Sequence, residues 1–312
     1  MVSDCNPHSN TDSENEADLR NVPPGVAIAP MSKTPMFQAN HAQRYLRQAL
    51  IKSICAITGR PLVCYVAGSA AMIGRDDTVF LIDLLHNIKI GSDLDFMLHT
   101  PGGDIDAAEK LITIVRTRVG SGRLRVIVPD FAKSAGTLMA LGADEIVMSD
   151  TSELGPIDPQ ITLNDGHGNL IQHSVQSYLD AYDTHAAALQ KDPNNIAARI
   201  MLGKLDPATL KVFEAVRDRA RTFAETQLKR GMCAAGTYTA VAAQLIDTKK
   251  WLSHGQMIGW QDATGIGLCV RHLDPFDVEW QSYWQLYCHQ RLAIKDSGKI
   301  FESGYASLVI DG

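Results

Sequence analysis

The sequence predicts an α/β protein built on a parallel sheet, with a more helical C-terminal part. Three observations lead to this prediction. Short apolar runs alternate with helical patterns over residues 60–150, which is typical of β-α-β units whose sheet is covered on both faces. After about residue 165 long helical patterns dominate. With 45% apolar and 21% charged residues among 312, the composition is that of an ordinary globular protein.

The elements of the sheet follow in order. A helical pattern in "NHAQRYLRQALIKSICAITG" precedes the buried strand "PLVCYVAG" and the helix "DDTVFLIDLLHNIK". The strand "DLDFMLHT" leads to the helix "DAAEKLITIVRTRVG", the strand "RLRVIVPD" leads to the short helix "SAGTLMALGA", and "EIVMS" is a fourth strand. Ligands bind at the carboxyl ends of such strands. The loops "HTPGGD" and "DFAKSAG" both lie at these ends.

Composition divides the chain into an arm and a body. Residues 1–35 are polar, with five acidic side chains against one arginine in the first 30, and we expect them to form a disordered or loosely docked acidic arm. Residues 36–275 are expected to form one domain that contains a helical insert at about 164–235. Residues 276–312 are expected to be a C-terminal extension.

Several classes of function are disfavoured by composition. The formal charge of −6 leaves no basic footprint for nucleic acid. The chain has no apolar window long enough for a membrane span and no secretory signal pattern. Six scattered cysteines without C-x-x-C suggest neither a zinc site nor a disulfide framework, and favour a reducing cytoplasm. The histidines have no ligand spacing, so neither a metal nor a cofactor is expected.

Two loops carry the candidate chemistry. Ser134 follows a strand and begins a helix, a position that suits either a helix N-cap or an exposed nucleophile. Gly102 and Gly103 end another strand, where they form either a tight turn or a pair of amides open to an anion. If these amides and that of Ala135 converge, they form an oxyanion hole for a tetrahedral intermediate.

The motifs "HTPGGDIDAAEKL" and "VIVPDFAKSAGTLMALGADEIVMSDTSELGPIDPQ" resemble the serine dehydrogenase proteinase family, and the resemblance extends from about residue 60 to 272. Its members are relatives of signal peptide peptidase A and of the Clp protease proteolytic subunit, and share a crotonase-like spiral of β-α-β units. The resemblance implies a serine peptidase with Ser134 as the nucleophile. No nicotinamide site is recognisable.

The general base remains open between two residues. Lys211 lies in "LDPATLKVFEAV", which resembles a family segment containing a lysine, and is the favoured candidate. The alternative for Lys211 is a solvated surface lysine. His254, in "KKWLSHGQMIGWQDATGIGL", is the second candidate, and Asp158 is expected to orient a base or shape specificity. Lys133 adjoins Ser134, but neighbouring side chains on a helix seldom face each other.

The favoured function is hydrolysis of peptide bonds in polypeptide segments within a homo-oligomer. Two alternatives stay open: a non-catalytic scaffold or sensor of the same fold, and an enzyme of the crotonase type that processes acyl-CoA or other thioesters. The sequence has no G-x-x-x-x-G-K-[ST] motif, so any unfolding activity would come from a separate ATPase or activator.

Overall fold

The computed structural model describes residues 34–164, 168–233 and 236–311. The chain divides into two units, Met1–Tyr45 and Leu46–Gly312. Of the smaller unit the structure describes residues 34–45, which begin the first helix. The expected acidic arm therefore lies, except for its last two residues, outside the described residues.

Seven strands of the described part form the main sheet, in the order β11-β10-β1-β2-β3-β5-β9. Five neighbouring strands, β1, β2, β3, β5 and β9, are parallel to one another. On the other side of β1, β10 and β11 continue the sheet in antiparallel pairing. Two further pairs, β4 with β6 and β7 with β8, lie outside this sheet. The strands are β1 (Leu62–Ala67), β2 (Leu94–His99), β3 (Leu124–Ile127), β4 (Phe131–Ala132), β5 (Glu145–Met148), β6 (Glu153–Leu154), β7 (Gln160–Asn164), β8 (Leu170–Ser174), β9 (Val270–His272), β10 (Lys299–Ser303) and β11 (Ser307–Ile310).

Helices connect the parallel strands and cover both faces of the sheet. They are α1 (Pro35–Thr58), α2 (Asp77–Leu85), α3 (Ile105–Val119), α4 (Ala135–Ala140), α5 (Val175–Lys191), α6 (Ile196–Gly203), α7 (Pro207–Arg230), α8 (Tyr238–Ile246), α9 (Trp260–Gly265) and α10 (Val278–Leu292). The predicted α/β class with a parallel sheet is confirmed, and the four predicted strands "PLVCYVAG", "DLDFMLHT", "RLRVIVPD" and "EIVMS" correspond to β1, β2, β3 and β5.

Alternation along the buried strands separates two apolar layers. Val63 and Tyr65 of β1 belong to the larger layer, with α2, α3 and α4, whereas Cys64 and Val66 belong to the smaller layer, with α1 and α10. Because successive side chains on a strand point to opposite faces, both layers need apolar residues at every position. This explains why the strand sequences are continuous apolar runs.

The C-terminal segment differs from the expected extension. Residues Lys299–Ser303 form β10 beside β1, with Val63 opposite Ser303. Glu302 is buried and bound by Arg47, Gln290 and Ser307. Part of the segment 276–312 is therefore integral to the sheet, since a buried carboxylate with these partners has to be enclosed by the body of the protein.

The expected insert begins as a hairpin, β7 and β8, and continues as three helices that we call the helical arm (residues 175–230). A small cluster of buried apolar residues, Val175, Leu179 and Phe213, packs inside the arm. The second half of α7 instead joins the larger layer through Phe223 and Leu228. One helix thus connects the main core to the thinner arm.

Candidate active site

The two loops identified in the sequence are hydrogen-bonded to each other at the carboxyl edge of the sheet. Thr100, after β2, donates its amide to Phe131 O (3.0 Å), and the Lys133 amide donates to Thr100 O (3.0 Å). An ideal Cβ placed on Gly102 would lie 2.9 Å from Ser134 Cβ and 3.4 Å from the Ala135 nitrogen. The glycine loop therefore packs directly against the serine turn, and a side chain at residue 102 would collide with it.

Ser134 has a strained backbone. Its φ is 51° and its ψ is −116°, and among the described residues it is the one non-glycine residue with positive φ. The Ser134 side chain makes no capping hydrogen bond to helix α4. The N-cap interpretation of Ser134 is therefore wrong for its hydroxyl. A strained serine between a strand and a helix is the geometry that exposes a nucleophile, at a cost of about 1–3 kcal/mol.

The amides near Ser134 differ in what they bind. The Gly102 amide donates to Thr100 Oγ1 (3.1 Å), so it stabilises the turn. The amides of Gly103 and Ala135 make no hydrogen bond within the described part of the chain. Free amides beside a nucleophile suit an oxyanion. Of the three expected donors, Gly103 and Ala135 are thus available, whereas Gly102 contributes by its shape.

The residue at 103 has to be glycine. Its φ is 146°, and a Cβ there would lie 2.4 Å from the backbone nitrogen of Ile73. Ile73 donates to Gly102 O (2.7 Å) and accepts from the Asp104 amide (3.1 Å), so the segment before α2 clamps this loop from one side. Positive φ and close backbone contact together exclude any side chain.

Asp158 and His254 form a hydrogen-bonded pair. His254 Nδ1 lies 2.8 Å from Asp158 Oδ1, and Gln160 Nε2 donates to Asp158 Oδ2 (2.7 Å). Asp158 is buried, whereas the His254 side chain is 30% exposed. An ionised carboxylate can only accept, so Nδ1 carries a proton, and in the neutral imidazole Nε2 is then the acceptor. The arrangement is that of a base held by an orienting carboxylate.

Lys133 ties the loop that carries His254 to the serine turn. Its ammonium pairs with Glu153 and donates to the backbone oxygens of Leu154 (3.2 Å), Gln256 (3.3 Å) and Gly255 (3.4 Å). A Cβ placed on Gly155 would lie 3.5 Å from the Ser134 nitrogen. The segments before Asp158 and after His254 therefore both reach the immediate surroundings of Ser134.

Lys211 lies in a different environment, on the helical arm. Its side chain is 81% exposed, and its Nζ donates to Glu214 Oε2 (2.6 Å). The hydrogen bond that Lys211 donates to Glu214 raises the pKa of Lys211. A general base needs a lowered lysine pKa, which burial without a carboxylate would provide. Within this chain Lys211 thus has the character of the solvated surface lysine that the sequence left as an alternative.

A cavity of about 640 Å³ borders the Asp158–His254 pair. Its wall includes both residues of the pair, Gln160 from β7, Asp180 and His185 from the helical arm, and Trp251. The side of the cavity formed by the helical arm is polar, and the His254 imidazole forms part of the cavity wall. It is therefore large enough for a long side chain or a short peptide segment close to the base.

A second histidine–aspartate pair was missed in the sequence. His99 ends β2, is buried, and has Nε2 3.4 Å from Asp130 Oδ2, while Tyr287 donates to the same oxygen (2.7 Å). Burial opposes ionisation of Asp130, but the nearby His99 imidazole and the hydrogen bond from Tyr287 outweigh it and lower the Asp130 pKa. His99 lies two residues before the Pro-Gly-Gly turn, and this position in the sequence could have identified it as a candidate site residue. Its contact with α10 depends on tertiary structure.

The described residues contain neither a candidate metal cluster nor a helix that could span a membrane. No group of three or more His, Cys, Asp or Glu side chains in the described ranges is arranged to hold a metal ion. None of the helices in those ranges combines the length and apolar character that crossing a bilayer requires.

Two uncharacterized proteins of Methanocaldococcus jannaschii are similar to this chain. The first is 32% identical over 185 residues, which cover 59% of this chain and 56% of the relative. The second is 37% identical over 89 residues, or 28% of this chain and 27% of the relative. The chain thus spans about half the length of the first relative and about a quarter of the second.

Two solved structures are also similar, each with 16% identity and a TM-score of 0.28. One is a serine-to-alanine mutant of the 1510-N membrane-bound stomatin-specific protease, matched over 69% of this chain and 97% of that chain. The other is a lysine-to-alanine mutant of the same protease in complex with a substrate peptide, matched over 73% and 98%. A TM-score this low supports no comparison of sites.

Residues 76–218 match the family described as ClpP-like SDH-type serine proteinase. The matched span contains Ser134, both loop glycines and Asp158, and it ends before His254. The family resemblance read from the motifs is confirmed. Over these residues the chain is similar to the ClpP-like SDH-type serine proteinase family.

Proposed function

We propose that this chain is a serine hydrolase that cleaves peptide bonds, with Ser134 as nucleophile, His254 as general base and Asp158 as the residue that orients the base. One observation carries the proposal: a strained, uncapped serine lies on a turn that Lys133 ties to the loop of a histidine held by a buried carboxylate. The family of residues 76–218 supports the same reaction class.

The reaction follows from this assignment. His254 Nε2 takes the Ser134 hydroxyl proton as Oγ attacks the substrate carbonyl carbon, and the carbonyl oxygen becomes an oxyanion. The free amides of Gly103 and Ala135 donate to that oxyanion, with the dipole of α4 adding favourable potential. The imidazolium then gives its proton to the leaving amine. Water, deprotonated by His254, hydrolyses the acyl-enzyme and restores Ser134.

We favour His254 over Lys211 on electrostatic grounds. Lys211 is exposed and its pKa is raised by Glu214, so its ammonium holds its proton more tightly than a free lysine. Asp158 holds the proton of the neutral His254 imidazole on Nδ1, which is the tautomer whose Nε2 can accept a proton. Lys211 could act as the base only in a neighbouring subunit, where desolvation at an interface would have to outweigh its hydrogen bond to Glu214.

We also propose that the protein forms a homo-oligomer that acts on polypeptide segments. The helical arm exposes large apolar side chains, among them Ile196, Ile200 and Val212. Apolar side chains gathered on a thin arm are typical of an association surface. Sedimentation of the wild-type protein, with Ile200→Asp as the disruptive variant, tests the association.

Labelling with a fluorophosphonate probe and peptide mapping tests the activity. We expect the label on Ser134 in the wild type, no label in Ser134→Ala, and a strongly slowed reaction in His254→Ala. Cleavage of a casein-like unfolded substrate should follow the same order. Absence of Ser134 labelling from a folded wild-type protein would refute the hydrolase and favour a scaffold of the same fold.

A further inference from the structure

We propose that Lys133 is a positioning residue that sets the place of the base relative to the nucleophile. The inference rests on the proposed function, since it concerns how His254 and Ser134 are brought together. Lys133 touches neither the substrate carbonyl nor the transferred proton. It acts through the loop of residues 252–257, which carries His254.

The contacts of Lys133 join three parts of the site. Its backbone amide donates to Thr100 O (3.0 Å), which fixes the serine turn to the glycine loop. Its own peptide bond continues into Ser134. Its ammonium donates to the backbone oxygens of Gly255 and Gln256, the two residues that follow His254. One residue thus links the oxyanion donors, the nucleophile and the base.

The loop has few other constraints. Leu252 is 85% exposed, and Met257 is also exposed. Within the loop, the Leu252 amide donates to Gln256 Oε1 (2.8 Å) and the Gln256 amide to Ser253 O (2.9 Å), contacts that shape it without attaching it to the body. Attachment comes from the Ile258–Leu154 bridge, from Asp158 and from Lys133.

The Lys133 ammonium is surrounded by hydrogen-bond acceptors. The Lys133 side chain is 15% exposed, and it has a carboxylate, that of Glu153, and three carbonyl oxygens around three N–H donors. A half-buried cation whose donors are all bound is held in place, because moving it would leave the charge unpaired. This also explains why Lys133, despite adjoining Ser134, is not the base.

The experiment compares Lys133→Met with Arg116→Met. Arg116 is also a buried cation that binds a carboxylate, Asp144, and a backbone oxygen, that of Gly142. It lies at the amino edge of the sheet, where Asp144 precedes β5 and binds the first amide of β3. Both variants lose an ion pair that is at least half-buried and are expected to lose stability, but only Lys133→Met removes the contacts that hold the loop of the base.

For folded protein we expect Lys133→Met to slow fluorophosphonate labelling of Ser134 and to lower kcat by about 10–100-fold, with KM within about threefold, because small misplacement of a base has effects of this size. The acid limb of the pH–rate profile should also shift, since the imidazole changes its surroundings. Arg116→Met should keep the wild-type kcat and profile. Equal kcat in the two variants, with Ser134 still labelled, would overturn the inference and leave the proposed function intact.

Lys133→Arg covers the case in which Lys133→Met does not fold. Arginine keeps a buried cation but presents a planar fork in place of a compact ammonium, so it restores the loop contacts in part. Its kcat should lie several-fold below that of the wild type at similar stability. A wild-type kcat in a folded Lys133→Arg protein would contradict a positioning role. If the wild type itself is not labelled at Ser134, the proposed function fails and this inference fails with it.

Discussion

The carboxyl edge of the sheet and the helical arm each present a lysine with a carboxylate partner, but in opposite settings. Lys133 is 15% exposed and its ammonium has one carboxylate and three carbonyl oxygens around it, whereas Lys211 is 81% exposed and bound to Glu214 alone. The motif favoured Lys211 as the base. Its surroundings give it a raised pKa, so the comparison teaches that a lysine's role depends on what encloses it.

The same contrast holds for the packing of the two regions. Phe223, in the second half of α7, is fully buried in the larger apolar layer. Phe213, in the first half of the same helix, is buried in a small cluster with Val175 and Leu179, against which partly buried side chains such as Tyr178 pack. A small cluster stabilises less than a continuous core. The arm is therefore expected to open at lower free energy than the body.

The largest contrast is expected at Ser134. Ser134→Ala should lower turnover by at least about 10³-fold, because the nucleophile is lost. Its midpoint of urea denaturation should stay close to that of the wild type, since the hydroxyl makes no capping bond, whereas loss of a working N-cap typically costs about 1 kcal/mol. Normal activity together with lost stability would restore the N-cap interpretation.

The next contrast separates the two candidate bases. His254→Ala should lower kcat by about 10²–10⁴-fold, the usual contribution of a general base, and Asp158→Asn should produce a smaller loss of the same kind. Lys211→Ala should change kcat by less than about threefold, because the ammonium faces solvent. Steady-state kinetics at constant oligomer content measures both. The reverse result would mean that Lys211 of a neighbouring subunit is the base.

A smaller difference is expected for the two phenylalanines. Phe223→Ala should cost about 3–5 kcal/mol of global stability, as is usual for a buried aromatic side chain. Phe213→Ala should cost less than that and should speed amide exchange mainly in the helical arm. Chemical denaturation and hydrogen exchange resolved by peptide test the pair. Equal costs would show that body and arm unfold together.

The smallest difference concerns acid stability. Burial opposes ionisation of Asp144, but the hydrogen bonds from Arg116 and the Leu124 amide outweigh it and lower the Asp144 pKa. Because the folded pKa is below the ordinary one of about 3.9, this contribution is complete at neutral pH and is lost as the pH falls through the folded value. Asp144→Asn should cost about 1–3 kcal/mol at pH 7 and reduce the acid sensitivity. An unchanged slope of stability against pH below 5 would contradict this assignment.

The sequence predicted most of the parallel part of the sheet, because its strands are continuous apolar runs between turn residues. It also located Ser134, Gly103 and Ala135, since chemistry at the carboxyl ends of strands has a recognisable pattern of small residues. It did not predict β10, whose sequence "KIFES" has only two apolar residues, side by side, and carries the buried Glu302. A carboxylate becomes tolerable there only through Arg47, which is distant in sequence.

The residues of the candidate site could also be predicted only in part from the sequence. Asp158 and His254 were each identified as residues of interest, but their pairing depends on the fold and could not be read from spacing. Lys133 was set aside because neighbours on a helix diverge. In the structure Lys133 and Ser134 both precede helix α4, so helix geometry does not apply, but the ammonium makes its hydrogen bonds to groups other than Ser134. It turns instead toward the loop of His254, which is more than a hundred residues further along the chain.

The pairing of β10 with β1 has a consequence for synthesis on the ribosome. Arg47 and Glu302 are 255 residues apart, so β1 emerges early and its outer neighbour emerges among the last residues. Until then the nascent chain carries an unpaired strand edge and a buried arginine site without its carboxylate, a combination prone to non-native association. We therefore expect ribosome-bound chains that stop short of residue 299 to depend on chaperones. Chains in which β10 has emerged from the ribosome and paired with β1 should resist proteolysis.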